Sequence, residues 1–140
     1  MEENIPTSSS SETPTVEYIK PSFEIHGFST NISDAPVYFH VMKMENSLFL
    51  WIGSGTDPTF EDLSMAMNTR YDSLPLGTRL MGPSSDMTSS NLSVRLSKRL
   101  GQAVYVSYNL ASDRLILPAV EKRLQEEMKL HPEKFGISTS

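Results

Sequence analysis

The feature that most constrains this chain is a pair of neighbouring segments that are apolar on both of their faces. In the first, Val37, Phe39 and Val41 alternate with Tyr38, His40 and Met42. In the second, Leu48, Leu50 and Ile52 alternate with Phe49 and Trp51. Period-two alternation is the mark of a β-strand, and Glu45-Asn46 between the segments suits a short turn. A strand with one wet face would carry polar residues there. These strands do not, so both faces ask for cover.

Phe23, Ile25 and Phe28 point to an earlier strand, ended by Pro36. Leu63, Met65 and Met67 alternate with Ser64, Ala66 and Asn68, and Leu76, Thr78 and Leu80 follow a turn at Tyr71–Pro75. The period then lengthens. Leu92, Leu96 and Leu100 are four apart on one helical face, with Asp86, Thr88, Ser89 and Ser90 available to cap the start and Gly101 to end it. Val104, Val106 and Tyr108 predict a sixth strand. A final helix places Leu117, Val120, Leu124 and Met128 on one stripe, with Pro118 in its first turn and Pro132 beyond its end. Lys122–Glu126 and Arg123–Glu127 are spaced to pair along it.

The expected fold is therefore α+β: a six-stranded, mostly antiparallel sheet with two helices on one face. Two helices cannot cover both faces. The second face is either available to a partner sheet, or hidden by curling or by the 53–62 loop. Several large apolar groups left in water together would be an aggregation hazard. Six of the eight methionines, Met42, Met44, Met65, Met67, Met81 and Met87, fall in this part of the chain, and flexible methionine suits protein-binding surfaces. The partner-interface candidates are Met42, Met44, Phe49, Trp51, Met65 and Met67. The opposite phase stays open, because a one-residue slip inverts a strand.

Residues 1–21 are rich in Ser, Thr, Pro and Glu and read as a disordered tail. They hold four acids and one base, so three of the five net negative charges lie there. The folded domain is expected over 22–135, with 136–140 a flexible end. A nearly neutral domain is a poor nucleic-acid binder. No apolar run approaches the ~20 residues of a membrane span, and no charged-then-apolar leader opens the sequence. The absence of cysteine excludes disulfides and thiolate chemistry and fits an intracellular setting.

Catalytic patterns are missing. His26, His40 and His131 lie in separate elements with no zinc spacing. No nucleophile elbow occurs, and Gly53-Ser54-Gly55 lacks the lysine of a phosphate loop. The expectation is no enzyme, no cofactor and no metal. One charge feature stands out: Arg95, Lys98 and Arg99, with no acid between Met87 and Ser112, make a basic helix face that could steer an acidic protein surface.

Several segments together resemble the proteasome assembly chaperone 4 family. They are Phe39–Met44 with Asn46–Gly53, Arg70–Pro75, Val104–Leu110, and Glu126–Met128 through Pro132–Phe135. The likeness runs over about residues 25–135. It implies a non-enzymatic chaperone that pairs with proteasome assembly chaperone 3, a protein of similar fold. The pair would promote assembly of the alpha ring of the proteasome core particle, contact its fifth alpha subunit and leave before maturation. It also implies sheets facing each other across the heterodimer, and a cytoplasmic location with the nucleus as a second setting. Arg70, Tyr71, Asp72, Arg95 and Arg99 are the candidates for alpha-subunit contact. Two alternatives remain: a self-dimerising scaffold or adaptor, and a ligand-binding domain in which His40, Tyr71 and Asp72 would be the first suspects.

Overall fold

The computed structural model describes residues 23–70, 73–83, 85–111 and 115–137. The expected tail over 1–21 and residues 138–140 lie outside them, as do Tyr71 and Asp72.

Among the described residues, six strands form one sheet: β1 (Glu24–Ile32), β2 (Ala35–Lys43), β3 (Ser47–Ser54), β4 (Leu63–Met67), β5 (Leu76–Met81) and β6 (Ala103–Asn109). The same residues hold two helices, α1 (Thr88–Leu100) and α2 (Ile116–Leu130), which follow β5 and β6, and a short 3-10 turn (Pro132–Phe135) after α2. The spatial order is β1-β2-β3-β6-β4-β5.

Four of the five strand pairings are antiparallel; β3 and β6 run parallel. The sheet is thus mixed, though mostly antiparallel. A parallel pair needs a long crossover, and here β4, β5 and α1 supply it.

β1 and β2 form a tight hairpin around Ser33 and Asp34, whose φ angles are 53° and 64°. Two successive positive values suit the right-handed twist of a hairpin. Pro36 therefore does not end the first strand; it sits inside β2 opposite Asn31. The second hairpin closes at the expected place, where the Met44 amide donates to the Ser47 carbonyl at 2.9 Å.

Both helices lie on one face. Phe39, Val41, Leu48, Leu50, Ile52, Val104 and Val106 point at them and are almost completely buried. Leu92 and Leu96 of α1, and Val120, Leu124 and Met128 of α2, complete the core, with Phe135 beneath. Phe28 of β1 stacks on Phe39, with ring centroids 4.5 Å apart and planes 7° apart.

α1 packs on β4, β5 and β6 through a layer of small polar groups. Ser89, Ser93 and Ser97 of the helix and Ser64 of β4 are all buried. Each finds a partner, as burial demands. Ser64 Oγ and Ser89 Oγ are 2.8 Å apart, Ser93 Oγ donates to the Ser90 carbonyl at 2.8 Å, and Ser97 Oγ to that of Gln102 at 2.7 Å. At the helix start, the Thr88 amide donates to Asp86 Oδ1 at 3.0 Å. Gly101, with φ of 69°, ends the helix in the left-handed conformation.

α2 is tied to edge strand β1 by a charged cluster. His26 Nε2 donates to Glu127 Oε2 at 2.6 Å, and Arg123 Nη1 lies 2.9 Å from Glu127 Oε1. Arg123 also stacks over the Phe28 ring at 4.9 Å and donates from Nε to the Ser29 carbonyl at 3.2 Å. Burial pushes the Glu127 carboxyl up. The hydrogen bonds from His26 and Arg123, and their charges, outweigh that and hold it below the usual carboxylate range.

The folded unit extends past the expected limit at 135. Gly136 turns the chain with φ of 76°, and Ile137 packs against the core, its amide bonded to the Pro132 carbonyl at 2.9 Å.

Candidate interaction surface

The face away from the helices carries a continuous transverse row. Strand register sets Ile25, Met42, Phe49, Tyr105, Met65 and Thr78 side by side, one from each strand. This row is the second phase of the alternation. Its central members, Met42, Phe49, Tyr105 and Met65, alternate with residues that are fully buried under the helices, among them Val41, Leu48, Leu50, Ala66, Val104 and Val106. Phe49 and Tyr105 remain partly exposed, whereas Leu48 and Leu50 beside Phe49 are at 0%. A second row holds His40, Trp51 and Ser107. Met67 and Leu76 pair beside the first row and are exposed.

All six residues named as interface candidates are on this face. Met42, Phe49, Trp51, Met65 and Met67 come from strands, and Met44 joins Met42, Ser47, Phe49 and Tyr105 around one shallow apolar groove. Tyr105 and Ile25 belong to the same surface and were not among the candidates. Tyr105 was legible, since it alternates with Val104 and Val106.

The loop after β3 covers one corner. Trp51 Nε1 donates to the Thr59 carbonyl at 3.0 Å. Phe60 stacks on Phe49 with centroids 6.1 Å apart and planes 16° apart. Phe60 is itself 49% exposed, so it extends the apolar surface while shielding part of it. The expectation of cover by the 53–62 loop thus holds for Trp51 and fails for the groove around Met42 and Tyr105.

The root of this loop is firmly fastened. Asp62 is buried. Its Oδ1 accepts from Arg79 Nη1 at 2.5 Å, its Oδ2 from the Tyr108 amide at 3.2 Å, and its carbonyl from Ser107 Oγ at 2.5 Å. Asn109 Oδ1 accepts the Glu61 amide at 2.8 Å. Phe60 is therefore presented from a rigid base.

The charged candidates are placed differently. Arg70 is exposed beyond the end of β4. Arg95 and Arg99 are exposed on α1, on the helical side of the sheet. They do not border the apolar face, because α1 folds back across the opposite side. Arg95 reaches α2, with Nη1 3.1 Å from Glu121 Oε1. Tyr71 and Asp72 lie outside the described residues, so the suspected His40, Tyr71 and Asp72 grouping has only His40 in view. His40 is exposed, its ring 5.4 Å from that of Trp51. Among the described residues, no group of three or more His, Asp or Glu could hold a metal ion, and no helix is long and apolar enough to cross a membrane.

Comparison with known proteins gives a consistent picture. A family described as proteasome assembly chaperone 4 matches residues 36–110, which span β2 to β6 and α1. Proteasome assembly chaperone 4 of Homo sapiens is 45% identical over 112 residues, covering 79% of this chain and 89% of that protein. The Mus musculus protein of the same name is 44% identical over 112 residues, with the same coverage. Among solved structures, a chain from a novel chaperone complex for yeast 20S proteasome assembly superposes with a TM-score of 0.61. It is 13% identical and covered throughout, against 83% of this chain. That likeness is one of fold.

Proposed function

This chain belongs to the proteasome assembly chaperone 4 family, and we propose that it acts, without catalysis, as one half of a heterodimeric assembly chaperone. The other half is a chain of the proteasome assembly chaperone 3 type, whose sheet covers the open face. The pair holds an alpha subunit of the proteasome core particle, the fifth by family resemblance, while the alpha ring assembles in the cytoplasm or nucleus.

The observation that carries this reading is the transverse row Ile25–Met42–Phe49–Tyr105–Met65–Thr78. Fully burying a large apolar side chain contributes roughly 1.5–3 kcal/mol. The five apolar groups of this row, from β1 to β4, are exposed at Ile25 and partly exposed at Met42, Phe49, Tyr105 and Met65, so part of that free energy is still to gain. An opposing sheet is the partner whose shape fits, since sheets pack face to face through interdigitated side chains.

Co-expression with a chaperone-3 homologue tests the reading. A 1:1 heterodimer by gel filtration and mass measurement is expected. A chain that remains a monomer beside that partner would sink it. A homodimer of the chain alone that excludes the partner would favour the scaffold alternative, which uses the same face.

A further inference from the structure

The helical side of the molecule carries a second surface of different character. α1 and α2 flank a cleft of about 120 Å³. Leu92, Leu96, Leu124 and Met128 form its floor, and Arg95 and Arg99 face Glu121 and Gln125 across its rim. The volume suits one leucine-class side chain. Because both helices lie opposite the Met42–Tyr105 row, the cleft stays accessible when that row is covered.

The rim is prepared for carboxylates. α1 holds Arg95, Lys98 and Arg99 and no acidic residue. Among the described residues, neither Lys98 nor Arg99 has an ion-pair partner. Glu121 shows where a carboxylate sits: its two oxygens lie 3.1 Å and 3.2 Å from the Arg95 guanidinium. The Arg95 side chain is 56% exposed and that of Glu121 26%, so solvent and salt screen the pair. An incoming carboxylate therefore competes with Glu121 for Arg95 and meets no rival at Arg99.

We propose that this cleft docks an acidic segment of the client protein, one leucine-like side chain entering between the helices while flanking carboxylates engage Arg99 and Arg95. The inference rests on the reading that the chain holds a client. It adds where a client segment binds and what chemistry that segment has.

The test uses the full chain and a fluorescein-labelled pentapeptide with leucine flanked by two aspartates on each side. Fluorescence anisotropy should show binding that falls at least about tenfold in the Arg95→Glu, Arg99→Glu double variant. Replacing the peptide's leucine by serine should also weaken it at least about tenfold. Glu121→Gln removes the competing carboxylate and should tighten binding about two- to fivefold. A merely solvated helix face would not respond in that direction. No binding, equal binding of the serine peptide, indifference to charge reversal, or weakening by Glu121→Gln would each overturn the proposal. Gel filtration of the wild-type and double-variant chains with the chaperone-3 partner separates the two ideas. Normal pairing with no peptide effect rejects the cleft alone, whereas failure of the wild-type chain to pair rejects the function from which it was drawn.

Discussion

The indole of Trp51 lies over Gly53 so closely that a β-carbon on residue 53 would fall 2.4 Å from two of its ring carbons. The two residues are neighbours on one face of β3, and the absent side chain is what lets the indole lie flat and reach Thr59. Gly53→Ala should therefore expel the indole, costing about 1–3 kcal/mol in a urea melt and shifting tryptophan emission to the red. Adding Trp51→Leu should recover most of the loss. A neutral Gly53→Ala with unchanged emission would contradict this packing.

Glu127 makes the fold sensitive to acid. Its folded-state pKa is depressed by His26 and Arg123 against the opposing effect of burial. A depressed carboxyl contributes stability that is present above its unfolded value of 4.5 and is lost as pH falls through the folded value. Glu127→Gln should cost about 1–3 kcal/mol at neutral pH and flatten the decline in stability below about pH 4.5. Denaturant midpoints across that range decide it: parallel declines in both proteins would refute the assignment.

The two faces of the sheet should respond oppositely to charge. Leu124 is 3% exposed beneath the helices, so Leu124→Asp buries an unpaired charge and should unfold the domain. Met42 and Met65 are partly exposed on the other face. A double Met42→Lys, Met65→Lys variant can lay its stems along the strands with the ammonium groups in water. Its circular dichroism and melting should stay close to the parent, while heterodimer formation on gel filtration is lost. Retained pairing would move the interface elsewhere.

Asp62 ties the loop carrying Phe60 to β5 and β6 through Arg79 and the Tyr108 amide. Asp62→Ala leaves the largely buried Arg79 guanidinium without that carboxylate. The expected loss is about 2–4 kcal/mol, below the range for fully buried pairs because both groups retain some solvent contact. Hydrogen exchange at residues 55–62 should rise in the same variant. Unchanged exchange would show that the loop is held from elsewhere.

Most of the architecture was legible because alternation in β2, β3 and β4 and four-residue spacing in the helices are strong signals. The two-faced apolar strands announced an uncovered surface, and all six candidates lie on it. What was hidden depended on partners distant in sequence. Ser64, Ser89, Ser93 and Ser97 look like surface residues until one sees that hydrogen bonds satisfy their hydroxyls. Ser33-Asp34 makes a hairpin without the glycine that usually signals one. The separation of Arg95 from the apolar face was hidden because a linear sequence does not show on which side of the sheet a helix returns. Glu127 looked like a surface partner for Arg123. Only His26, 101 residues away, reveals it as a buried clamp.

The position of β6 has a consequence for how the chain emerges during synthesis. β1-β2-β3 is one meander and β4-β5 one hairpin, and no ladder joins β3 to β4. The last strand made is the seam between them. Until the chain is synthesised through Asn109 and clears the ribosome, the two pieces can fold only as unsutured halves. A ribosome-bound fragment ending before Ala103 should accordingly be cut readily by protease, and one that resisted as well as the finished domain would show that the halves close without their seam.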